Sequence, residues 1–245
     1  MKIKCGLSLL GHYPPKSISA ESVNKPTLKA IDPNIAYRHA TMDAMSFSPH
    51  EPLDDLVRVL GYVDAIRQRN DMHEVANEMF AMSCWTPQFC EALIRAAEAA
   101  GGFAAEPGDP VPGHEISLAM ISPRLFEAVQ NDMGERIWPQ LQQHWPLIDY
   151  HGINDAFIIK YQQGGQEELR PHHDVAQVSA SIKPNDAYEG ATLEFPRQGV
   201  NNAELPVGSL LAWPSLVTHP HHSTRITKGT KYSLTIWFEL PLSLS

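Results

Sequence analysis

The sequence predicts an α+β protein in which two helices precede a β-sandwich or jelly roll. The first observation is the length of 245 residues, which is enough for one large domain with its own core. The second is a pair of amphipathic segments that each begin with a hydroxyl residue followed by proline, the usual start of a helix. The third is a change, after about residue 155, to short apolar segments separated by glycine, proline and asparagine. Together they predict one core with helices on its N-terminal side.

The N-terminal region, residues 1–75, is predicted to be an arm followed by a helix. Residues 1–50 are rich in proline and turn formers, which indicates irregular structure. The segment Pro52–Asn70 places apolar side chains at i, i+3, i+4 and i+7 and therefore predicts one amphipathic helix. Two interpretations of the region stay open: a lid or dimer contact over the mouth of a barrel, and an arm that covers a sheet edge. Residues 76–245 would then form the main domain.

Two supporting helices are predicted ahead of the strands. The first begins at the N-cap Thr86 and ends at Gly101, where the apolar stripe stops. The second begins at Ser122, with a kink expected at Gly134 or Pro139. The strands then follow as Ala156–Tyr161, Val175–Ile182, Ala191–Phe195, Ser209–Trp213 and Lys231–Leu240.

Charge and composition exclude several classes of protein. A formal net charge of −9 repels a phosphate backbone, so a nucleic-acid partner is not expected. No segment approaches the roughly 18 consecutive apolar residues that a membrane span needs, and no secretory signal is recognised at Met1–Leu10. The 3 cysteines do not form a disulfide framework. We therefore expect a cytoplasmic protein without membrane or nucleic-acid partners.

Two histidine clusters carry the residue types of a metal site. In the first, His172 and Asp174 are two residues apart, so on an extended backbone their side chains point to the same side. The second cluster holds His219, His221 and His222, and a jelly roll can bring it face to face with the first. Two histidines and one carboxylate that leave coordination positions open are typical of non-haem Fe(II) oxygenases. A structural zinc site would instead need four protein ligands, usually including cysteine.

Lys231 lies near the start of the predicted last strand and could offer a buried cation to an anionic cosubstrate. By the two-residue period of a strand, Ser233 shares its face, as do Thr235 and Trp237, while Leu234, Ile236 and Phe238 face the other side. The aromatic residues Trp213, Trp237 and Tyr188 line either the pocket or the core.

Several short motifs keep a recognisable order and spacing: Phe157-Ile158-Ile159-Lys160-Tyr161, Pro171-His172-His173-Asp174, Tyr188-Glu189-Gly190, Pro206-x-Gly208, Thr218-His219-x-His221 and Thr227-Lys228-Gly229-Thr230-Lys231-Tyr232. Through them the segment from Phe157 to Pro241 resembles the 2-oxoglutarate- and Fe(II)-dependent dioxygenases of the prolyl and lysyl hydroxylase superfamily. The resemblance is greatest to the catalytic domain of procollagen-lysine dioxygenases. A weaker likeness extends back to about Glu78.

The resemblance implies a double-stranded β-helix core, that is, a jelly-roll, cupin-like fold. It implies that His172, Asp174 and His221 bind Fe(II), and that Lys231 pairs with the distal carboxylate of 2-oxoglutarate. Tyr161 would help to hold that carboxylate, and we include Ser233 among the cosubstrate-binding residues. Lysyl hydroxylases have arginine where Lys231 stands, whereas collagen prolyl hydroxylases have lysine; a single ammonium still supplies the charge.

The function that the resemblance implies is hydroxylation of an unactivated C–H bond, with release of succinate and CO₂ and with ascorbate as a candidate reductant. The substrate would be amino-acid-like: a free or peptidyl lysine or proline type, or a natural-product precursor. Two alternatives stay open. One is a non-catalytic jelly-roll binding module, and the other is a nucleic-acid demethylase on the same scaffold. A homodimer is a candidate assembly.

Overall fold

The computed structural model describes residues 71–105 and 107–240, whose strands form two antiparallel sheets. The strands are β1 (His73–Ala76), β2 (Met79–Ser83), β3 (Glu115–Ser117), β4 (Ile153–Gln162), β5 (Leu169–His172), β6 (Val178–Ile182), β7 (Tyr188–Gly190), β8 (Leu193–Phe195), β9 (Val200–Asn201), β10 (Ser209–Pro214), β11 (His221–Ser223) and β12 (Ile226–Phe238). The large sheet has the order β1-β2-β10-β6-β12-β4-β3, with β7 also paired to β12, and the small sheet has the order β5-β11-β8-β9. This antiparallel two-sheet arrangement is a jelly roll.

The helices pack on the outer face of the large sheet. They are α1 (Pro87–Ala100), α2 (Leu118–Ile121), α3 (Pro123–Asp132) and α4 (Trp138–His144), with one π-helical turn (Met133–Ile137) between α3 and α4. The side chains of β12 alternate between the two faces of the large sheet. Leu234, Ile236 and Phe238 join the core with the helices, whereas the alternate residues Ser233 and Thr235 face the space between the sheets. The predicted two-residue pattern of this strand is confirmed.

Both predicted helix starts are confirmed. The Thr86 hydroxyl accepts a hydrogen bond from Phe89 N at 3.2 Å, and the Ser122 hydroxyl accepts one from Leu125 N at 3.3 Å. The predicted kink takes the form of the π-helical turn, which contains Gly134. No helix in the described part of the chain is long and apolar enough to cross a membrane.

Three strands lie where the sequence analysis expected none, because β1, β2 and β3 precede β4 in the chain and complete the large sheet. The expectation that strands begin only after about residue 155 is therefore wrong. The predicted strand Val175–Ile182 begins later, at Val178, and the last strand begins earlier, at Ile226 rather than at Lys231. The last strand is longer because the residues before Lys231, among them Gly229 opposite Tyr188, pair with β7. The predicted helix Pro52–Asn70 and the arm before it lie outside the described residues.

Candidate metal centre

The small sheet brings the predicted metal ligands together. His172 is the last residue of β5, and its Cα partner across the sheet is His221, the first residue of β11. Asp174 follows two residues after His172. His172 Nε2 lies 3.7 Å from Asp174 Oδ1, and His221 Nε2 lies 3.6 Å from Asp174 Oδ2. One ligand atom from each residue lies within 4.8 Å of the other two, so a single ion can contact all three.

Backbone carbonyls fix the tautomer of both imidazoles. His172 Nδ1 lies 2.8 Å from Arg170 O, and His221 Nδ1 lies 2.9 Å from His219 O. A carbonyl oxygen only accepts hydrogen bonds, so each Nδ1 carries the proton and donates. Each Nε2 then presents a lone pair toward Asp174, which is the orientation that a metal ligand requires.

The Asp174 carboxylate is the part of the group that most needs a cation. Its residue is 2% exposed, and Oδ2 has no hydrogen-bond partner among the described residues. The nearest nitrogens, His172 Nε2 and His221 Nε2, lie 3.7 and 3.6 Å from the carboxylate oxygens, which is too far for a hydrogen bond. A buried charge without a partner is strongly unfavourable. A divalent cation between the three side chains removes this penalty, and the residues present therefore fit a metal ion.

Burial keeps the first imidazole neutral. It lowers the pKa of His172 below the ordinary value, and the neighbouring His221 lowers the pKa further. Only 9% of the His172 side chain is exposed. A neutral imidazole at neutral pH is the form that coordinates a metal.

The other two histidines of the second cluster are occupied elsewhere. His219 Nε2 lies 3.3 Å from Asn77 O, and its Nδ1 lies 2.9 Å from the Thr218 hydroxyl. His222 pairs with Glu194 in the next strand, at 3.6 Å between Nε2 and the carboxylate. Neither belongs to the metal-ligating group, which consists of His172, Asp174 and His221 within the part of the chain that the structure describes.

The residues predicted to bind the cosubstrate lie on neighbouring strands of the large sheet. Lys231 is 2% exposed, and its ammonium donates to Ala191 O at 2.6 Å and lies 4.9 Å from the centre of the Tyr161 ring. Burial, together with the charge of Lys183, lowers the pKa of Lys231 to about 7. The Ser233 hydroxyl is 3.2 Å from that of Ser181. Among the described residues no carboxylate lies within 4.0 Å of the Lys231 ammonium, so this buried cation lacks an anionic partner.

A pocket of about 570 Å³, part of it open to solvent, lies between the two sheets and contains the His–Asp–His group. Tyr161 and Ser233 line it together with the hydroxyls of Ser181, Ser223 and Thr235. Lys231 itself does not line the pocket. Trp213 and Trp237 do, whereas Tyr188 packs on the apolar cluster around Phe157 and does not reach the pocket.

Two acidic pocket residues were missed by the sequence analysis. Asp109 lies in the loop before β3, where its carboxylate accepts a hydrogen bond from Val111 N at 2.8 Å. Glu115 opposes Ile159 across the β3–β4 pair, so both side chains face the pocket. The proline- and glycine-rich run at 107–113 predicts a loop, but no sequence signal indicates that this loop covers a pocket.

The chain is similar in sequence to procollagen lysine hydroxylases. It is 25% identical over 192 residues to the multifunctional procollagen lysine hydroxylase and glycosyltransferase of Caenorhabditis elegans. The alignment covers 70% of this chain and 25% of that protein. It is 22% identical over 184 residues to the procollagen-lysine,2-oxoglutarate 5-dioxygenase of Drosophila melanogaster, covering 68% of this chain and 25% of that protein. The match thus spans about a quarter of these relatives. No protein-family model matches the chain.

Solved structures show the same fold. A prolyl-4-hydroxylase of Pseudomonas putida aligns with a TM-score of 0.52 and 16% identity, over 76% of this chain and 99% of that one. The viral collagen prolyl hydroxylase vCPH of Paramecium Bursaria Chlorella virus-1 aligns with a TM-score of 0.51 and 14% identity, over 67% and 98%. The chain therefore has the jelly-roll fold of these prolyl hydroxylase structures. By sequence, the chain is related to the procollagen lysyl hydroxylases.

Proposed function

We propose that this protein is an Fe(II)- and 2-oxoglutarate-dependent dioxygenase that hydroxylates a lysine-type substrate. The observation that carries the proposal is the Asp174 carboxylate, buried between two imidazoles with no hydrogen-bond partner for Oδ2 among the described residues. Such a group is unfavourable unless it binds a cation. The jelly-roll fold and the lysyl hydroxylase relatives support an iron oxygenase over other metal-binding proteins.

His172, Asp174 and His221 would hold the iron through two nitrogens and one carboxylate oxygen. Three ligands on one side of an ion leave positions for a chelating cosubstrate and for O₂, which a closed structural site does not. When bound, the iron supplies the oxidation chemistry that couples decarboxylation of 2-oxoglutarate to C–H hydroxylation. The protein would hold the ligands in place through the Arg170 and His219 carbonyls, which place the proton of each neutral imidazole on Nδ1 and leave Nε2 for the ion.

Lys231 would bind the distal carboxylate of 2-oxoglutarate. The ammonium is buried, lacks an anionic partner among the described residues and contacts the Tyr161 ring, which lines the pocket. A carboxylate that approaches past Tyr161 would share the ammonium with Ala191 O. The hydroxyls of Tyr161 and Ser233 would complete the contacts. Burial raises the pKa of Tyr161 to about 12, so its phenol stays a hydrogen-bond donor.

The pocket walls favour a side chain that is apolar along its length and cationic at its end. Val111, Phe157 and Ile159 supply apolar surface, while Asp109 and Glu115 supply carboxylates. A lysine side chain matches this combination, since its methylene groups can pack on apolar walls while its ammonium contacts a carboxylate. A proline ring offers no cation. The related lysine hydroxylases agree with this choice.

The test is succinate release from 2-oxoglutarate with Fe(II), O₂ and a panel of free lysine, lysine peptides, Nε-acetyl-lysine and proline peptides. We expect lysine-type compounds to stimulate succinate formation and acetylation of the amine to abolish the stimulation. Asp174→Ala should be inactive. His222→Ala is the matched control, because this histidine belongs to the same cluster but pairs with Glu194; it should keep activity.

Succinate that stays at background with every compound, from folded protein loaded with Fe(II), would contradict the proposal. That outcome would favour a non-catalytic binding module. Equal stimulation by lysine and its acetylated form would retain the dioxygenase but reject the role of the pocket carboxylates.

A further inference from the structure

Trp213 forms part of the pocket wall next to a proposed metal ligand. It lies on β10 and faces the space between the sheets, where its ring packs edge-to-face on Phe195, with centroids 4.9 Å apart, and on His221, with centroids 5.1 Å apart. The residue is 2% exposed and lines the pocket. The indole therefore borders the cavity that contains the His–Asp–His group.

The indole N–H of Trp213 has no hydrogen-bond partner among the described residues, although it is buried. Buried donors are nearly always paired, because an unpaired one destabilises the fold. Trp85, Trp138 and Trp237 also have unpaired indole N–H groups; Trp85 and Trp138 lie in the core with the helices, whereas Trp237 lines the pocket as Trp213 does. A ligand in the pocket can reach only a residue on its wall, such as Trp213 or Trp237, and of these two Trp213 packs on a proposed metal ligand.

We propose that Trp213 Nε1–H donates a hydrogen bond to a carboxylate oxygen of the molecule that occupies the pocket beside His221. This inference rests on the proposed function, because it assumes that the pocket binds 2-oxoglutarate and an amino-acid-like substrate. The indole N–H only donates, so the ligand atom must be an acceptor, and a charged acceptor gives the stronger bond. Either the cosubstrate or a carboxylate of the substrate can supply this oxygen.

A direct test is NMR of the indole N–H groups in full-length protein labelled with ¹⁵N at tryptophan. The chain has 5 tryptophans, so the spectrum is simple, and Trp213→Phe assigns the signal of interest. Zn(II), which is diamagnetic, takes the place of iron. We expect the Trp213 proton to move downfield on addition of 2-oxoglutarate, while the Trp138 signal stays in place.

The second readout is the affinity for 2-oxoglutarate, measured by anaerobic titration in the presence of Fe(II). Trp213→Phe retains an aromatic ring beside His221 but removes the donor. We expect it to weaken 2-oxoglutarate binding about tenfold, which corresponds to about 1.4 kcal/mol. Trp138→Phe is the matched control, since it removes an equally buried and unpaired donor away from the pocket; it should leave the affinity unchanged.

If the acceptor belongs to the substrate, the Trp213 signal moves only when substrate is added and the variant raises the KM for substrate alone. That result supports the hydrogen bond and assigns its partner. A Trp213 signal that moves with neither ligand, in protein that binds 2-oxoglutarate and turns over, rejects this inference and leaves the proposed function standing. Wild-type protein that does not bind 2-oxoglutarate rejects both.

Discussion

Strands β4 and β12 each carry a lysine next to a tyrosine, and the strand register places each lysine opposite the tyrosine of the other strand. On the inner face, Lys231 lies over Tyr161; on the outer face, Lys160 lies over Tyr232, 5.9 Å from the ring centre. The outer pair is neutralised by Glu98, which accepts from the Tyr232 hydroxyl at 2.6 Å and contacts the Lys160 ammonium at 2.8 Å. The inner cation has no such carboxylate among the described residues. This difference is the reason that we propose Lys231, and not Lys160, as the residue that binds the cosubstrate.

The lowered pKa of Lys231 predicts that 2-oxoglutarate binding depends on pH. With a pKa of about 7, the lysine is charged below that pH and increasingly neutral above it. A bound carboxylate favours the charged form, so binding above pH 7 must take up a proton. We expect the apparent Kd to rise by up to about tenfold per pH unit above neutrality. Isothermal titration with Mn(II)-loaded protein measures it.

Lys231→Arg is the control for this pH dependence. The guanidinium keeps its charge throughout the range, so the variant should bind 2-oxoglutarate without the rise in Kd. Identical pH profiles in the two proteins would exclude Lys231 as the titrating group.

Asp174 Oδ2 has no hydrogen-bond partner among the described residues, so we expect this carboxylate to lower the stability of the metal-free protein while it enables metal binding. In Asp174→Asn the introduced amide can donate toward the lone pair of His221 Nε2, which Oδ2 approaches to 3.6 Å. We expect the metal-free variant to be more stable than the wild type by about 1 kcal/mol. It should gain little stability from added Mn(II), whereas the wild type should gain more. Urea unfolding with and without metal measures both; a metal-free variant less stable than the wild type would contradict this account.

The histidines of β5 and β11 have their tautomers fixed by the same kind of backbone hydrogen bond. In each case, the carbonyl two residues before the histidine accepts the Nδ1 proton: Arg170 O for His172 and His219 O for His221. The acceptors belong to the backbone, one within β5 and one just before β11, so backbone geometry rather than side-chain identity fixes the tautomers. The local backbone at each histidine therefore fixes its tautomer, and the pairing of the two strands brings the two imidazoles together.

The junction between β2 and β10 depends on a glycine. Gly208 has a φ of 82°, and its carbonyl accepts hydrogen bonds from Cys84 N and Trp85 N. A Cβ at this position would lie 2.0 Å from Trp85 O. Gly208→Ala must therefore displace backbone as well as adopt a strained φ, and we expect it to destabilise the protein by roughly 3 kcal/mol or more.

A substitution at Gly199 measures the backbone strain without the steric contact. Gly199 also has a positive φ, of 71°, but a Cβ there would meet nothing within 4 Å. Gly199→Ala should therefore cost only the backbone strain, about 1 kcal/mol. Thermal unfolding of both variants compares them, and equal losses would show that the contact of Gly208 with Trp85 is not the limiting feature.

Across the whole molecule, the features that could be predicted from the sequence are those with a regular local pattern of residues. The helix starts at Thr86 and Ser122 could be predicted because a hydroxyl cap followed by proline is a local signal. The alternation along β12 could be predicted because a strand buried on both faces still separates its residues by side. The convergence of His172 and Asp174 followed from their spacing.

The remaining features depend on contacts that no local pattern encodes. Strands β1 and β3 are short edge strands whose place is set by pairing with distant partners. Glu115 reaches the pocket only because β3 pairs with β4. The choice of His221 over its neighbours follows from the pairing of β11 with β5, which the family resemblance, and not the local sequence, anticipated.

We propose that His172, Asp174 and His221 form one iron site beside a cosubstrate site at Lys231. Anaerobic addition of Fe(II) and 2-oxoglutarate tests it through the visible charge-transfer band of the iron–cosubstrate chelate. We predict this band in the wild type, its loss in His172→Ala and Asp174→Ala, and in Lys231→Ala a band that needs far more 2-oxoglutarate to develop. A band of equal intensity and equal cosubstrate dependence in all four proteins would contradict the claim.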